Sequence, residues 1–343
     1  MKFIRFIFLS LNIILILALF TSYMSPFISP EANRYIPLFG LFFPYFFFVN
    51  VLFAIGWLFT KKWTYGLLSA AALLIGFGGA NKFMSFDSPK VIKSPNIIQI
   101  TSYNVASGMM IGKSEKEQFY SFLKEQYNDG IFFFQESSTT ILDKLQRRYP
   151  NEHFVRLKGK RATIMSHYPV LDSGILAFAD AFNTCVWADI KVNGEKVRIY
   201  SVHLQTNKVT QIADDVIAKG DLGDKETWGN VKTMMGRYSN STVKRLDQVE
   251  KIIANIEKIN YPVIVAGDFN DIPQSYLYTK MSDKLQDAFV QKGFGLGTSF
   301  NGNIPALRID YIFLHRRFQV LDFKTHRYPF SDHYPVSSEV LLR

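Results

Sequence analysis

The chain has little with which to cross-link itself. Its 343 residues include one cysteine, so no intrachain disulfide can form and the redox compartment stays open. Cys185 sits in the apolar run Thr184-Cys185-Val186-Trp187 and reads as an inert buried thiol. Acidic residues are almost missing from the first 83 positions, where Lys2, Arg5, Arg34, Lys61, Lys62 and Lys82 face Glu31 alone. Charge of either sign is absent from the 25 residues Tyr35–Phe59 and the 18 residues Trp63–Ala80. The formal net charge of +10 is therefore shared: +5 falls on residues 1–83 and +5 on the remaining 260, which hold 33 basic and 28 acidic residues. So mild a bias in the larger part does not mark a dedicated nucleic-acid binder. No A-x-A-like site follows the first apolar stretch, which argues against a removed signal peptide.

What is present at the start is apolar and aromatic. Aromatics make up 15% of the chain, with 32 Phe, a richness that points toward lipid contact. Phe3–Tyr23 is broken only by Arg5, Ser10, Asn12 and two hydroxyl residues near its end. A span needs about 20 apolar residues, so this stretch, Tyr35–Phe59 and Trp63–Ala80 predict three transmembrane helices within residues 1–83. Pro37 and Pro44 are tolerable in such helices, and Gly76-Phe77-Gly78-Gly79-Ala80 suits close helix packing. Lys2 and Arg5 before the first span, and Lys61-Lys62 between the second and third, belong on the cytoplasmic side. Alternation then puts everything after Ala80 outside the cytoplasm. Residues 84–95, polar and proline-bearing, read as a linker to a soluble domain over 96–343.

Within that domain, short apolar runs keep ending in polar side chains. Asn96–Val105 reads as a strand ending at Asn104, and Lys113–Tyr127 as a helix carrying Phe119, Phe122 and Leu123. Ile131–Phe134 reads as a buried strand tipped by Gln135-Glu136. A carboxylate there is costly to desolvate unless paired or metal-bound, although a cap or solvated rim would also serve. Thr184–Val192 and Val197–Val202 form a hairpin around Asn193-Gly194, whose second arm delivers His203, as a structural histidine or a proton exchanger. Thr206–Ser241 reads as a polar insertion; its Asp214, Asp215, Asp221 and Asp224 lack calcium-loop spacing. Thr242–Ile259 is an amphipathic helix leading into Val263–Asp268, a strand buried on both faces. Asp268 and Asn270 then either close an Asx turn or, in extended chain, face one site together. Asp310 lies inside the apolar run Leu307–Leu314. It is the natural carboxylate to brace His333 in Ser331-Asp332-His333-Tyr334-Pro335.

Taken in order, Ser-Tyr-Asn104-Val, Gln-Glu136, Ser-Val-His203-Leu, Gly-Asp268-Phe-Asn270, Arg-Ile-Asp310-Tyr and Ser-Asp332-His333-Tyr-Pro resemble the motif set of the endonuclease/exonuclease/phosphatase superfamily. That group takes in DNase I-like nucleases, abasic-site endonucleases, inositol-polyphosphate 5-phosphatases, neutral sphingomyelinases and deadenylases. The resemblance covers residues 96–343. It implies an α/β fold, a four-layered α/β sandwich of two mixed β-sheets, and Mg²⁺- or Mn²⁺-dependent phosphoester hydrolysis. Glu136 would be the main metal ligand, helped by Asp332 and Asn104. Asp268 would orient or deprotonate the attacking water, and Asn270 and His203 would hold the phosphate. His333, braced by Asp310, would stabilise the phosphoryl oxygens or assist the leaving group. Two departures stand out: His203 has no visible acidic partner, with Lys158, Lys160 and Arg161 near the expected place, and no duplex-gripping aromatic and basic loops are evident.

The expected function is a membrane-anchored phosphodiesterase acting outside the cytoplasm. It would contact membrane lipids through residues 1–83 and take a lipid headgroup as substrate, with no obligate protein partner evident. Alternatives are an anchored nuclease for DNA or RNA and a non-catalytic binding module. The choice depends on loops 206–241 and 291–306, where Phe294, Leu296 and Phe300 either touch lipid or pack.

Overall fold

In the computed structural model, which describes residues 2–87, 89, 92, 94–106, 115–126, 129–157, 161–179, 183–207, 223–302, 304–328 and 330–343, the chain begins with helix α1 (Lys2–Met24). Its stretch Phe3–Met24 is the one helix among the described residues long and apolar enough to cross a bilayer. The other two expected spans are broken. Tyr35–Phe59 divides at Phe42 into α2 (Ile36–Leu41) and α3 (Phe43–Leu58), because Pro44 has no N–H to give the carbonyl four residues back. Trp63–Ala80 becomes a 3-10 turn, then α4 (Gly66–Ile75) and α5 (Phe77–Ala80), parted at Gly76. The 16 residues of α3 cover roughly 24 Å at 1.5 Å per residue, short of the ~30 Å hydrocarbon layer. Buried Asn12 clamps the helices together. Its amide donates to Ser69 Oγ (2.7 Å) and accepts from Trp57 Nε1 (2.9 Å), the kind of interhelical polar contact that glues apolar helices.

The first strand, β1 (Met84–Phe86), lies inside the segment read as a linker. It pairs with β11 (Phe294–Leu296), and Lys292 Nζ meets Asp87 at 2.7 Å, so the chain is fastened here. In this ribbon Phe294 and Leu296 are exposed, whereas Phe300 is buried.

Two six-stranded sheets follow. The first runs β13-β14-β2-β3-β5-β4, from β2 (Ile98–Asn104), β3 (Ile131–Gln135), β4 (His153–Arg156), β5 (Thr163–Ser166), β13 (Phe318–Thr325) and β14 (Val336–Leu342). The second runs β10-β12-β9-β8-β7-β6, from β6 (Val170–Leu176), β7 (Thr184–Val192), β8 (Glu195–His203), β9 (Val263–Asp268), β10 (Gln286–Asp287) and β12 (Asp310–Leu314). Each sheet is mixed, with one parallel pair, β2–β3 and β8–β9, at its middle. Alternation decides the layering: Ile131 and Phe133 join Ile199, Ile264 and Ile312 in the core between the sheets. Phe132 and Phe134 point outward onto Phe119 and Leu123 of α6 (Glu115–Gln126) and Leu142 of α7 (Thr139–Arg148). On the far side, Val265 and Phe313 meet Leu246, Val249 and Ile252 of α8 (Lys225–Ile256), together with Leu277 and Met281 of α9 (Tyr276–Lys284). A short α10 (Ala288–Lys292) closes the set. Helix, sheet, sheet and helix thus make the four layers.

Cys185 is buried and unpaired, and burial pushes its thiol well up. Helix α8 corrects the insertion reading: it starts at Lys225, capped by Asp224, and runs 32 residues. Its polar first half is held by the N-terminal helices, with Tyr238 buried against Leu38 and Ser239 Oγ donating to Arg34 O at 2.8 Å. Asp214, Asp215, Asp221, Lys113, Lys158 and Lys160 lie outside the described residues.

Candidate active site

The parallel pairs at the two sheet centres aim their C-terminal ends at one cleft. Register makes the assembly strict: Asn104 lies opposite Gln135, His203 opposite Asp268 and Asp310 opposite Asp268. Gly267, at φ 151°, lets β9 run close to β8. A Cβ there would come 1.9 Å from Val202 O, so only glycine keeps His203 and Asp268 abreast.

Asp268 is the hub. Its carboxylate accepts from Asn104 Nδ2 (3.0 Å), Asn270 N (2.8 Å) and Asn270 Nδ2 (3.0 Å), with His203 Nε2 at 3.7 Å and His333 Nε2 at 3.8 Å. The pairing of Asp268 with Asn270 is real, but extended alternation is not its cause. Asn270 stands in the left-handed region at φ 52°, and a turn folds its amide back onto the carboxylate. Glu136 also has a positive φ, 51°, a strained conformation for a side-chain-bearing residue and one that clusters at functional sites. It turns the carboxylate off the apolar strand to within 3.3 Å of Asn104 Nδ2 and 3.5 Å of His203 Nε2. Asn104 Oδ1 accepts from Ala106 N, so its amide nitrogen faces the carboxylates.

On the other side, His333 Nδ1 lies 2.9 Å from Asp310 Oδ2, and the ring meets Phe300 edge-on at 5.2 Å. Asp332 is half-buried and lines the same cleft as Glu136, Asp268, Asn270 and His333. Ser331 Oγ ties it in, 2.8 Å from Asn104 O and 3.2 Å from Asp332 Oδ1. All the expected site residues therefore converge. His203 is the loose one: neither ring nitrogen has a hydrogen-bond partner among the described residues. The residues missed were supports. Ser299 Oγ accepts from the Ile309 and Asp310 amides, and Ser331, next to Asp332, could have been found from its place in the motif.

Burial, reinforced by Asp310, raises the Asp268 carboxyl to about 6, against the opposing pull of His333 and His203. Burial alone would lower His333, but Asp310 and Asp268 outweigh it and hold the imidazole up to about 10. At neutral pH the pair is carboxylate and imidazolium.

The donor set suits a hard cation. Glu136, Asp268 and Asp332 line one cleft with no Lys or Arg among its described lining residues, and oxygen donors with room for water are what such ions take. Asp271, also in the lining, is taken up by Tyr238 and Arg245. A second grouping, Asp268, Asp310 and His333, is close enough to hold a metal. Its members are buried and already joined through the His333–Asp310 contact, an arrangement suited to carrying a proton.

A family profile described as Endonuclease/Exonuclease/phosphatase matches residues 101–333, the stretch that carries every one of these side chains. The chain belongs to this family. Its members are metal-dependent hydrolases of phosphoric esters, and so is this chain. A second profile, described as a domain of unknown function, matches residues 5–83. Among curated proteins none matches. Solved structures share the fold. An endonuclease/exonuclease/phosphatase from Bacteroides vulgatus is 18% identical, with TM-score 0.54, over 73% of this chain and 100% of that one. D. rerio TDP2 complexed with single strand DNA product is 17% identical, with TM-score 0.52, over 71% and 98%. The human Nocturnin catalytic domain is 13% identical, with TM-score 0.52, over 74% and 97%.

Proposed function

We propose that this endonuclease/exonuclease/phosphatase family member is a membrane-anchored, Mg²⁺-dependent phosphodiesterase that cleaves a lipid headgroup ester outside the cytoplasm. One observation carries the lipid reading. Leu19 of α1 and Phe43 of α3 share a buried cluster with Ile272, Phe300, Leu307 and Ile309, the residues beside the cleft. A tether built this way confines the cleft to the bilayer surface and raises its effective concentration toward headgroups. The outer faces of these helices support the same reading, since Phe6, Ile14, Leu17, Phe48, Leu52 and Leu74 are exposed, an apolar exposure that fits lipid contact. Charge supports the orientation. Phe8 of α1 packs on Phe53, tilted, and on Trp57 of α3, edge-on, while Leu19 and Phe43 meet the catalytic domain. Lys2, Arg5, Lys61 and Lys62 then lie toward the opposite end, which the positive-inside rule assigns to the cytoplasm.

Glu136 and Asp332 would hold the Mg²⁺, with Asn104 orienting Glu136 from beside it. Bound there, the cation would take phosphate oxygens and offset the charge growing on them. Asp268 accepts the proton of the attacking water as its oxygen bonds to phosphorus, and the ester P–O bond breaks. His333, held protonated by Asp310, gives its proton to the departing alkoxide. His203 would donate to a non-bridging phosphate oxygen, neither of its ring nitrogens being spent on a hydrogen bond among the described residues. Asn270 Nδ2 already donates to Asp268 Oδ2 and Leu204 O, so it would reach the phosphate by exchanging one of these bonds.

The pH profile should follow. The rate requires Asp268 without its proton and His333 with it, so kcat/KM falls as pH drops through about 6 and again as pH rises through about 10. The two limbs belong to the coupled pair. A flat profile from pH 5 to 8 would contradict these roles. The substrate is tested by a panel on the full chain in mixed micelles, with and without Mg²⁺: a sphingomyelin-like lipid, plasmid DNA, RNA and inositol phosphates. Metal-dependent cleavage of the lipid is the expected result. A nuclease reading draws on the DNA product bound by the TDP2 neighbour; turnover of nucleic acid alone, falling steeply with salt, would favour it and overturn the lipid reading.

A further inference from the structure

The cleft lining is of two kinds. Thr206, Asn207, Tyr238 and Asp271 join the catalytic Glu136, Asp268, Asn270, Asp332 and His333 as its polar part, and the apolar end is Leu41, Ile272, Phe300, Ile304, Leu307 and Ile309, which pack in one cluster. Phe300 joins the two, because its ring lies edge-on to His333 at 5.2 Å. Leu41 comes from α2, in the N-terminal helical part and far from any catalytic motif in sequence. Four of the apolar-end residues, Ile272, Phe300, Leu307 and Ile309, are themselves packed against Leu19 and Phe43. Tyr45 OH also donates to Pro305 O at 2.5 Å, tying α3 to the segment that carries Ile304. The wall is therefore built jointly by the two parts of the chain.

We propose that this apolar end is a substrate subsite for the first methylenes of a hydrocarbon arm joined to the scissile phosphate, and that Leu41 and Ile304 set the preference for such an arm. The inference rests on the phosphodiesterase reading above and deepens it: the N-terminal helices complete the active site as well as tethering it. Volume supports the assignment. The cleft holds about 180 Å³, about six waters' worth of space, enough for a phosphate and a short stretch of chain. The rest of the arm must leave the cleft, and α2 lies beside α1, where hydrocarbon is at hand. A sugar-phosphate arm would instead press polar and charged groups onto this wall, stripping them of water without a partner.

The test uses the full chain in neutral-detergent micelles with Mg²⁺ and two synthetic diesters, methyl and dodecyl 4-nitrophenyl phosphate. They share a leaving group and differ in the other arm. Wild type is expected to favour the dodecyl ester in kcat/KM by tenfold or more. Leu41→Asn and Ile304→Asn are each expected to lower that long-to-short ratio at least about fivefold. Partitioning into micelles is common to all three proteins and cancels in the comparison. Should Leu41→Asn fail to fold, Ile304→Asn and Leu41→Ala carry the same test. Ratios equal to wild type, with both esters cleaved, would overturn the subsite and leave the hydrolase reading intact. Cleavage of neither ester by wild type would overturn both.

Discussion

Asp268→Asn is expected to lower kcat by about 10³-fold while the protein still folds, since a positioned general base contributes roughly 10²–10⁴. The carboxylate is 1% exposed and meets donors only: the Asn104 amide, the Asn270 amide and backbone N–H, and two imidazoles. An asparagine keeps the size of the side chain and one acceptor oxygen, so Asn270 N can keep its bond. Its new amide nitrogen, however, would point at the Asn104 and Asn270 amides, donor against donor. Leaving such buried groups unmet costs about 1–3 kcal/mol, below the ~5–15 kcal/mol that holds a domain together. Far-ultraviolet circular dichroism should therefore be unchanged and Tm modestly lower, with KM little altered. Wild-type turnover in this variant would remove Asp268 from the mechanism.

Removing residues 1–83 should be nearly as severe, and for a different reason. The catalytic domain alone would expose Ile272, Phe300, Leu307 and Ile309, each at most 8% exposed in the full chain. Burying a large apolar side chain stabilises by about 1.5–3 kcal/mol, so four of them approach the whole stability of a domain. Phe300 also braces the His333 ring, and Arg308 Nε would lose its bond to Lys82 O (2.9 Å). The fragment 84–343 is expected to aggregate, or to melt at least ~10 °C below the full chain in detergent. A soluble fragment with an unchanged Tm would show that the helices are a passive tether.

Part of this architecture is legible in the amino-acid order and part is not. The strands Ile131–Phe134 and Val263–Asp268 were legible because both faces are covered, so each reads as an unbroken apolar run. Their polar tips were legible for the same reason: Glu136 and Asp268 have no business at the end of such a run unless something needs them. The backbone that aims those tips was not. Glu136 and Asn270 turn through positive φ, and nothing in Glu136 announces it. Hydropathy overcounted the spans, because it weighs side chains and ignores the break at Phe42 before Pro44 and the break at Gly76. The first half of α8 escaped because the surface it packs on belongs to the N-terminal helices, reached through Tyr238 and Ser239 with no apolar stripe. Leu41 carries no local signal at all; only the docking of α2 brings it to the cleft.

The mechanism turns on where a divalent ion binds. Crystals of the full chain soaked in Mn²⁺ and measured at the manganese absorption edge should show an anomalous peak against the Glu136 and Asp332 carboxylates, lost in Glu136→Gln. A peak held instead by Asp268, Asp310 and His333, or one that survives Glu136→Gln, would contradict it.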